Sequence, residues 1–333
     1  MYGAATAIED VENERAKHEY TYDYSFDSSQ PASPAFASQE DVFEALGRPL
    51  IEHAWSGFNC SMFAYGQTGS GKSYTMMGYG EAKGLIPRGC EALFERLAAA
   101  EADAQVSGAS VEVSYLEIYN ENIRDLLSPR LGATRTLSGL QRVESPGAHR
   151  AGEHSGSHLT IRENPQLGVY VVGLSKILVK SYADIEKAIN AGNRSRTVAR
   201  TKMNDTSSRS HSVFTIYFSK EAETSIGSES TFSKISLIDL AGSERQKHTQ
   251  AQGERLKEAC SINKSLSALG NVIAALQAEQ RHVPYRDSKL TTLLRDSLGG
   301  DAKTLMMVNV NPALSNRDES LYSLKFAQRA RQV

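Results

Sequence analysis

The stretch that decides the fold is Gly66-Gln67-Thr68-Gly69-Ser70-Gly71-Lys72-Ser73. It matches the pattern Gly-x-x-x-x-Gly-Lys-Ser, in which glycines let backbone N–H groups wrap around phosphates. The apolar residues 60–65 before it predict a buried strand, and a helix is predicted to begin near Lys72. A chance glycine-rich turn would not need this order of strand, loop and helix, so the stretch indicates a cradle for a nucleoside triphosphate.

The last two residues of this phosphate loop (residues 66–73) have expected roles. The Lys72 ammonium should reach the β- and γ-phosphates, and the Ser73 hydroxyl is a candidate magnesium ligand. The candidate cofactor-binding residues are Gly66, Gln67, Thr68, Gly69, Ser70, Gly71, Lys72, Ser73 and Tyr74.

Two polar segments follow downstream. Segment I (residues 204–211) is Asn204-Asp205-Thr206-Ser207-Ser208-Arg209-Ser210-His211, and segment II (residues 239–244) is Asp239-Leu240-Ala241-Gly242-Ser243-Glu244. Taken alone, segment I is typical of a polar loop and segment II of a strand-to-loop turn. Beside a phosphate loop, Asp239 at the end of an apolar strand can hold magnesium through water.

Together the three stretches predict nucleotide hydrolysis coupled to a change of shape. The Gly242 N–H can approach the γ-phosphate, Ser207 can orient water, and an Arg209–Glu244 ion pair can join the two segments when that phosphate is present. The candidate catalytic residues are Ser207, Ser208, Arg209, Gly242 and Glu244, and the candidate metal ligands are Ser73, Ser208 and, through water, Asp239.

The sequence favours adenine over guanine. Guanine-selective proteins of this class carry Asn/Thr-Lys-x-Asp, whereas residues 201–204 read Thr-Lys-Met-Asn, with the acid one place later at Asp205. The predicted cofactors are therefore ATP and Mg²⁺, and an unrelated GTPase is disfavoured.

Composition excludes several classes of protein. The chain has 333 residues, 40% of them hydrophobic, and a net charge of −2. Residues 1–44 hold ten acids and two bases, and the remainder holds 35 bases and 29 acids, which is too mild an excess for a general nucleic-acid binder. The odd, scattered Cys60, Cys90 and Cys260 suit a reducing intracellular setting. Neither a membrane-length apolar run nor a signal-peptide pattern is present.

Strands and helices alternate along the sequence, which predicts an α/β fold with a mostly parallel central sheet and helices on both faces. Ser38 and Asp41 predict a capping box, and Pro49 predicts a kink in the helix that follows. A helix should end near Gly192, and Ser315 should cap the last helix. The predicted strands are residues 20–26, 60–65, 111–119, 213–218, 235–240 and 305–310.

The phosphate loop and segments I and II resemble the P-loop, switch I and switch II of the kinesin motor domain. Further matches are Leu256-Lys257-Glu258, Ile262-Asn263-Lys264-Ser265-Leu266 and Val283-Pro284-Tyr285-Arg286-Asp287-Ser288-Lys289-Leu290. The resemblance covers residues 20–331, and Ser73-Tyr74-Thr75-Met76-Met77-Gly78 looks most like the kinesin-3 group. It implies a P-loop NTPase whose ATP hydrolysis is stimulated by microtubules, in the cytoplasm on the cytoskeleton.

The resemblance also implies a tubulin-facing surface, with the helix at residues 256–276 at its centre. The loop at residues 280–285 and the helix from Ser288 would flank it. For each basic residue the alternative is an ordinary solvated helix face. The candidate microtubule-binding residues are Lys257, Lys264, Arg286, Lys289 and Arg295.

Three departures from the family pattern qualify these expectations. Residues 1–19 are acidic and do not match the family's first strand, so that strand is expected to be missing. Residues 128–158 form a low-complexity insert, expected to be an unstructured spacer, with an added tubulin contact or a phosphorylation site as the alternative. From the resemblance, the given sequence is expected to stop before the neck linker and to include no coiled coil or cargo segment. A catalytically weak microtubule-binding module is therefore the alternative function.

Overall fold

The computed structural model describes residues 4–9, 17–103, 106–128, 137, 139–143, 159–164, 168–201, 207–224, 227–244 and 254–333. Its strands are β1 (Ala5–Glu9), β2 (Lys17–Thr21), β3 (Cys60–Tyr65), β4 (Gly78–Tyr79), β5 (Ala82–Lys83), β6 (Gly108–Tyr119), β7 (Asn122–Asp125), β8 (Gln141–Val143), β9 (Thr160–Asn164), β10 (Gly168–Val172), β11 (Lys176–Val179), β12 (His211–Thr224), β13 (Gly227–Asp239) and β14 (Lys303–Val308). Its helices are α1 (Gln39–Val42), α2 (Arg48–Trp55), α3 (Lys72–Met76), α4 (Leu85–Ala102), α5 (Tyr182–Thr201), α6 (Glu254–Gln277), α7 (Lys289–Leu293) and α8 (Arg317–Ala330).

The main sheet is mixed, so the prediction of a mostly parallel sheet was wrong. In the described part of the chain its order is β14-β3-β13-β12-β6-β11-β8, with β7 paired to β6. Strand β3 runs parallel to β13 and β14, and the other pairings are antiparallel. The main source of antiparallel pairing is one long hairpin, β12–β13. The outer half of this hairpin was not predicted as strand, because its residues are mostly polar and face solvent.

Helices cover both faces of this sheet, as predicted. On the first face α2, α4 and α5 pack over a core that includes Leu93, Ile185 and Phe214. On the second face α6, α7 and α8 pack over Ile238, Val272 and neighbouring apolar side chains. Adjacent β12 residues Val213 and Phe214 point to opposite faces, because side chains alternate along a strand.

The N-terminal part differs from the prediction of one strand at residues 20–26. Strand β2 ends at Thr21 and pairs with β1 in a separate two-stranded sheet. Two hydrogen bonds connect this region to the last helix: the Tyr22 hydroxyl donates to Leu324 O within α8 at 2.8 Å, and Arg331, directly after α8, donates to Thr21 O at 2.7 Å. This small sheet therefore lies against the last helix.

The capping box of α1 is confirmed, because Asp41 N donates to Ser38 Oγ and Ser38 N donates to Asp41 Oδ2. The interruption expected at Pro49 takes the form of a π-helical turn at Phe43–Gly47, directly before α2. A π turn accommodates a proline that cannot donate a backbone hydrogen bond within the helix.

Two predicted helix ends were wrong. Helix α5 continues past Gly192 to Thr201, and the N-cap of α8 is Asn316 rather than Ser315. Gly192 is required for packing rather than for ending the helix, because a Cβ there would lie 2.1 Å from Cδ1 of Tyr115.

Part of the insert at residues 128–158 is ordered, since β8 pairs with β11 and Arg142 donates to Leu127 O at 2.6 Å. The rest of residues 128–158 lies mostly outside the described residues.

The Gly192–Tyr115 contact gives a test of packing. We expect Gly192→Ala to destabilise the fold by about 1–3 kcal/mol, because the added methyl group overlaps the buried ring. The matched control is Gly270→Ala on α6, where the nearest atom to the added Cβ is Phe326 Cε2 at 3.9 Å. That change should be neutral or stabilising by up to about 1 kcal/mol. Chemical denaturation measures both, and equal effects would contradict the expectation.

Among the described residues, no helix combines the length and the apolar character needed to cross a bilayer.

Candidate nucleotide site

The phosphate loop connects β3 to α3 and is held in an open curve by backbone geometry. Gly66 has φ 145°, and a Cβ at that position would lie 2.1 Å from the Asn309 carbonyl oxygen. A side chain would therefore push the loop away from β14. The sequence prediction that this pattern sits between a strand and a helix is confirmed.

The Lys72 ammonium lies inside the phosphate loop. It donates to Gly66 O at 2.9 Å and to Gln67 O at 2.8 Å, and the residue is only 7% exposed. Burial lowers the pKa of Lys72, while the negative charges of Asp239 and Glu244 act in the opposite direction. A buried cation with so little contact with solvent is stabilised by an anionic partner.

Ser73 and Asp239 come together although 166 positions separate them in the chain. Ser73 Oγ donates to Asp239 Oδ2 at 2.6 Å. The other carboxylate oxygen, Asp239 Oδ1, is buried and has no hydrogen-bond partner among the described residues. A hydroxyl beside a carboxylate oxygen with spare capacity is a donor set that suits a hard divalent cation such as Mg²⁺.

Segment II contacts both the phosphate loop and segment I. Gly242 N donates to Ser208 O at 2.9 Å, and Ser243 N donates to Gly66 O at 3.0 Å. A Cβ at Gly242 would lie 2.4 Å from Thr68 Oγ1, so glycine permits this close approach. The backbone contacts bring the three predicted stretches to one place.

Glu244 binds the phosphate loop through both carboxylate oxygens. Thr68 N donates to Oε2 at 2.8 Å and Thr68 Oγ1 donates to Oε1 at 2.6 Å. Arg209 lies in a 3₁₀ turn, Ser207–Arg209, directly before β12. The Arg209–Glu244 ion pair and the roles of the Ser207 and Ser208 hydroxyls stay predictions. Residues 202–206, with most of the motif used to argue for adenine, lie outside the described residues.

Tyr74 lies on the solvent-exposed side of the candidate site. The residue is 42% exposed, and its ring stacks on the ring of Tyr79, with 5.9 Å between the centroids. Its carbonyl oxygen accepts a hydrogen bond from Gln39 Nε2 at 2.6 Å. Because Tyr74 directly follows Ser73, an exposed aromatic surface lies next to the phosphate loop.

Two asparagines just after β14, Asn309 and Asn311, support the phosphate loop and were not among the predicted site residues. Asn309 N donates to Tyr65 O at 2.8 Å, and Asn309 Nδ2 donates to Thr75 Oγ1 at 2.9 Å. Asn311 Nδ2 donates to Gly69 O at 3.2 Å. The available signal was their position, since polar residues just after a buried strand often line the site at the carboxyl edge of a sheet.

A buried polar network behind segment I was also missed. Arg196 Nε donates to Glu117 Oε1 at 3.2 Å, and Ser210 Oγ donates to the same oxygen at 2.7 Å. Arg196 also donates to Ser210 Oγ at 3.1 Å. The network connects α5 and β6 to the residue before β12, and no local pattern in the sequence indicates it.

The candidate tubulin contacts lie on the face of the sheet that carries α6, α7 and α8. Lys264, Arg286, Lys289 and Arg295 are exposed there, and the Lys257 side chain lies outside the described part of α6. Arg295 is 2.6 Å from Glu163 Oε2, so an internal ion pair already satisfies part of its charge. The Lys289 backbone N–H donates to Glu121 Oε2 at 2.9 Å.

A family model described as the kinesin motor domain matches residues 3–333. The chain belongs to the kinesin motor domain family. The resemblance inferred from the three motifs is thus confirmed, and the kinesin match extends to residue 3, upstream of the start inferred at residue 20.

The curated kinesin relatives include members of the kinesin-3 group. Kinesin-related protein 1 of Dictyostelium discoideum is 47% identical over 94% of this chain and 14% of its own length. Mouse KIF16B is 47% identical over 97% of this chain and 24% of its own length. Mouse KIF1B is 45% identical over 100% of this chain and 18% of its own length. The chain therefore spans less than a quarter of each of these three relatives.

Solved kinesin structures share the fold. A KIF14 dimer with AMP-PNP in complex with a microtubule matches with a TM-score of 0.84 and 42% identity, covering 100% of this chain and 87% of that one. A fast kinesin matches with a TM-score of 0.80 and 38% identity, covering 99% and 85%. The mixed sheet described above is thus that of a kinesin motor domain.

Proposed function

We propose that this kinesin motor domain hydrolyses ATP with Mg²⁺, that microtubules stimulate the hydrolysis, and that the chain acts on the cytoplasmic cytoskeleton. The observation that carries the proposal is the meeting of Ser73 and Asp239 at 2.6 Å, beside the buried Lys72 ammonium. A phosphate loop without nucleotide chemistry would have no need for a buried cation next to a carboxylate with an unused oxygen.

The chain's own residues would divide the work. Lys72 would bind the β- and γ-phosphates, while Ser73, Ser208 and, through water, Asp239 would hold Mg²⁺, which neutralises phosphate charge during transfer. Gly242 N–H, which donates to Ser208 O in the structure, would exchange this partner for the γ-phosphate, and Ser207 would orient water. Tyr74 offers an exposed ring on which an adenine could stack.

Coupling to the microtubule would run through segment II and α6. Closure onto the γ-phosphate would move Glu244 from Thr68 toward Arg209, and α6 would shift relative to the sheet. The solved KIF14 structures support only the general link between nucleotide and microtubule, because KIF14 is bound to a microtubule with AMP-PNP in one and with ADP in another.

The deciding experiment is steady-state ATP turnover by the purified chain with and without microtubules. Strong stimulation supports the proposal, and GTP competing as well as ATP would contradict the assignment of the base. A folded chain that binds microtubules without turnover would favour the alternative, a catalytically weak microtubule-binding module.

The proposed tubulin surface gives a separate prediction. Replacing Arg286 and Lys289 together by alanine should weaken microtubule affinity about three- to tenfold and flatten its salt dependence, since each exposed charge contributes up to about 1 kcal/mol. Cosedimentation at several salt concentrations measures both effects. The matched control replaces Arg48 and Lys187, two exposed basic residues on α2 and α5 across the sheet. An unchanged salt slope in the first variant would remove its residues from the interface.

A further inference from the structure

His211 lies between segment II and α6 and contacts both. It is the first residue of β12 and only 3% exposed. Ala241 N donates to His211 Nδ1 at 3.0 Å, and His211 Nε2 lies 2.8 Å from Ser265 Oγ. Ala241 is 1% and Ser265 2% exposed, so these two hydrogen bonds are shielded from water.

The chemistry of the imidazole fixes the direction of both hydrogen bonds. Because the Ala241 N–H occupies Nδ1 as an acceptor, the ring proton is on Nε2, and Nε2–H donates to Ser265 Oγ. Burial, together with the positive charges of Arg196 and Lys72, lowers the pKa of His211 to about 3. The ring therefore remains neutral and keeps this single tautomer at physiological pH.

The two ends of this hydrogen-bonded chain are next to functional groups. Ala241 directly precedes Gly242, whose N–H already bonds Ser208 O in segment I. Ser265 directly follows Lys264, an exposed base on the proposed tubulin-facing helix. A displacement of the Gly242 peptide would therefore change the Ala241–His211 distance, and the rigid ring would pass that change on to Ser265 of α6.

We propose that His211 is a positioning residue that couples segment II to α6 and sets how strongly microtubule binding accelerates hydrolysis. The inference rests on the proposed function, since it assigns a coupling element to that site. An isolated buried histidine is usually only a satisfied core group. Here the His211 ring joins the Ala241 N–H of the nucleotide site to Ser265 of α6. A purely structural role and a coupling role therefore predict different effects when one of these hydrogen bonds is removed.

The test removes the acceptor at Ser265 and leaves the nucleotide site intact. We expect Ser265→Ala to reduce microtubule-stimulated kcat about tenfold, with basal turnover, ADP affinity and melting temperature close to those of the wild type. Ser265→Thr keeps a hydroxyl and should restore most of the stimulation. The KM for microtubules should change little, because Lys264 and the other exposed bases remain.

Each outcome decides something different. Wild-type stimulation in Ser265→Ala, or an equal loss of basal turnover and stability, would overturn the coupling role. Failure of the wild type itself to respond to microtubules would contradict the proposed function instead. In that case amide hydrogen exchange still decides: the Ala241 N–H should exchange about tenfold faster in Ser265→Ala than in wild type or Ser265→Thr, and equal rates would refute the coupling.

Discussion

Replacing Lys72 by alanine is expected to lower the affinity for ATP at least about a hundredfold. Hydrogen bonds from a charged donor contribute roughly 1.5–3 kcal/mol each, and Lys72 should make two of them to phosphate oxygens. Burial of the Lys72 ammonium is unfavourable and lowers its pKa. A bound phosphate would offset this cost, and the alanine variant lacks the positive charge that attracts it. Titration with a fluorescent ATP analogue measures the change.

Two controls separate this loss of affinity from a loss of folding. Lys187→Ala removes an exposed lysine of α5 that pairs with Asp184, and it should leave ATP affinity unchanged. Thermal unfolding of the Lys72→Ala variant should remain cooperative, because the loop keeps its glycines and the Asn309 support. An affinity within about threefold of the wild type in folded protein would exclude the assigned role of Lys72.

Glu244→Ala is expected to reduce kcat at least about a hundredfold and to change ATP affinity by less than about threefold. The reason is that the Arg209–Glu244 pair is proposed to form only in the closed arrangement, so its loss affects turnover rather than binding. In the structure the Glu244 carboxylate accepts hydrogen bonds from Thr68 N and Thr68 Oγ1. Closure therefore requires an exchange of partners.

A double-mutant cycle decides which partner of Glu244 matters. If the pair with Arg209 supports turnover, Arg209→Ala should reproduce the loss, and the double variant should be no slower than either single variant. Thr68→Val removes only the hydroxyl contact and should then have a small effect. A large loss in Thr68→Val with normal turnover in Arg209→Ala would assign the function to the observed contact. Equal losses of affinity and turnover in Glu244→Ala would refute the ion-pair proposal.

The sequence predicted the local parts of the site because each is encoded in consecutive residues. The glycines of the phosphate loop set its backbone, and Lys72 and Ser73 follow at positions fixed by the start of α3. The apolar run before Asp239 predicted a strand end, and β13 ends at Asp239. Strand direction was not predictable in the same way, because the polar outer half of β12–β13 has no apolar alternation.

The sequence by itself therefore determined the class of ligand, the kinesin family and the position of the phosphate loop between a strand and a helix. Only the tertiary structure decided that Asn309 and Asn311 support this loop, that Gly192 makes room for Tyr115, and that His211 joins Ala241 to Ser265. Local conformation follows from backbone sterics and spacing within a few residues. These contacts join residues tens to hundreds of positions apart, and their partners are set by strand order and by which helix packs on which face.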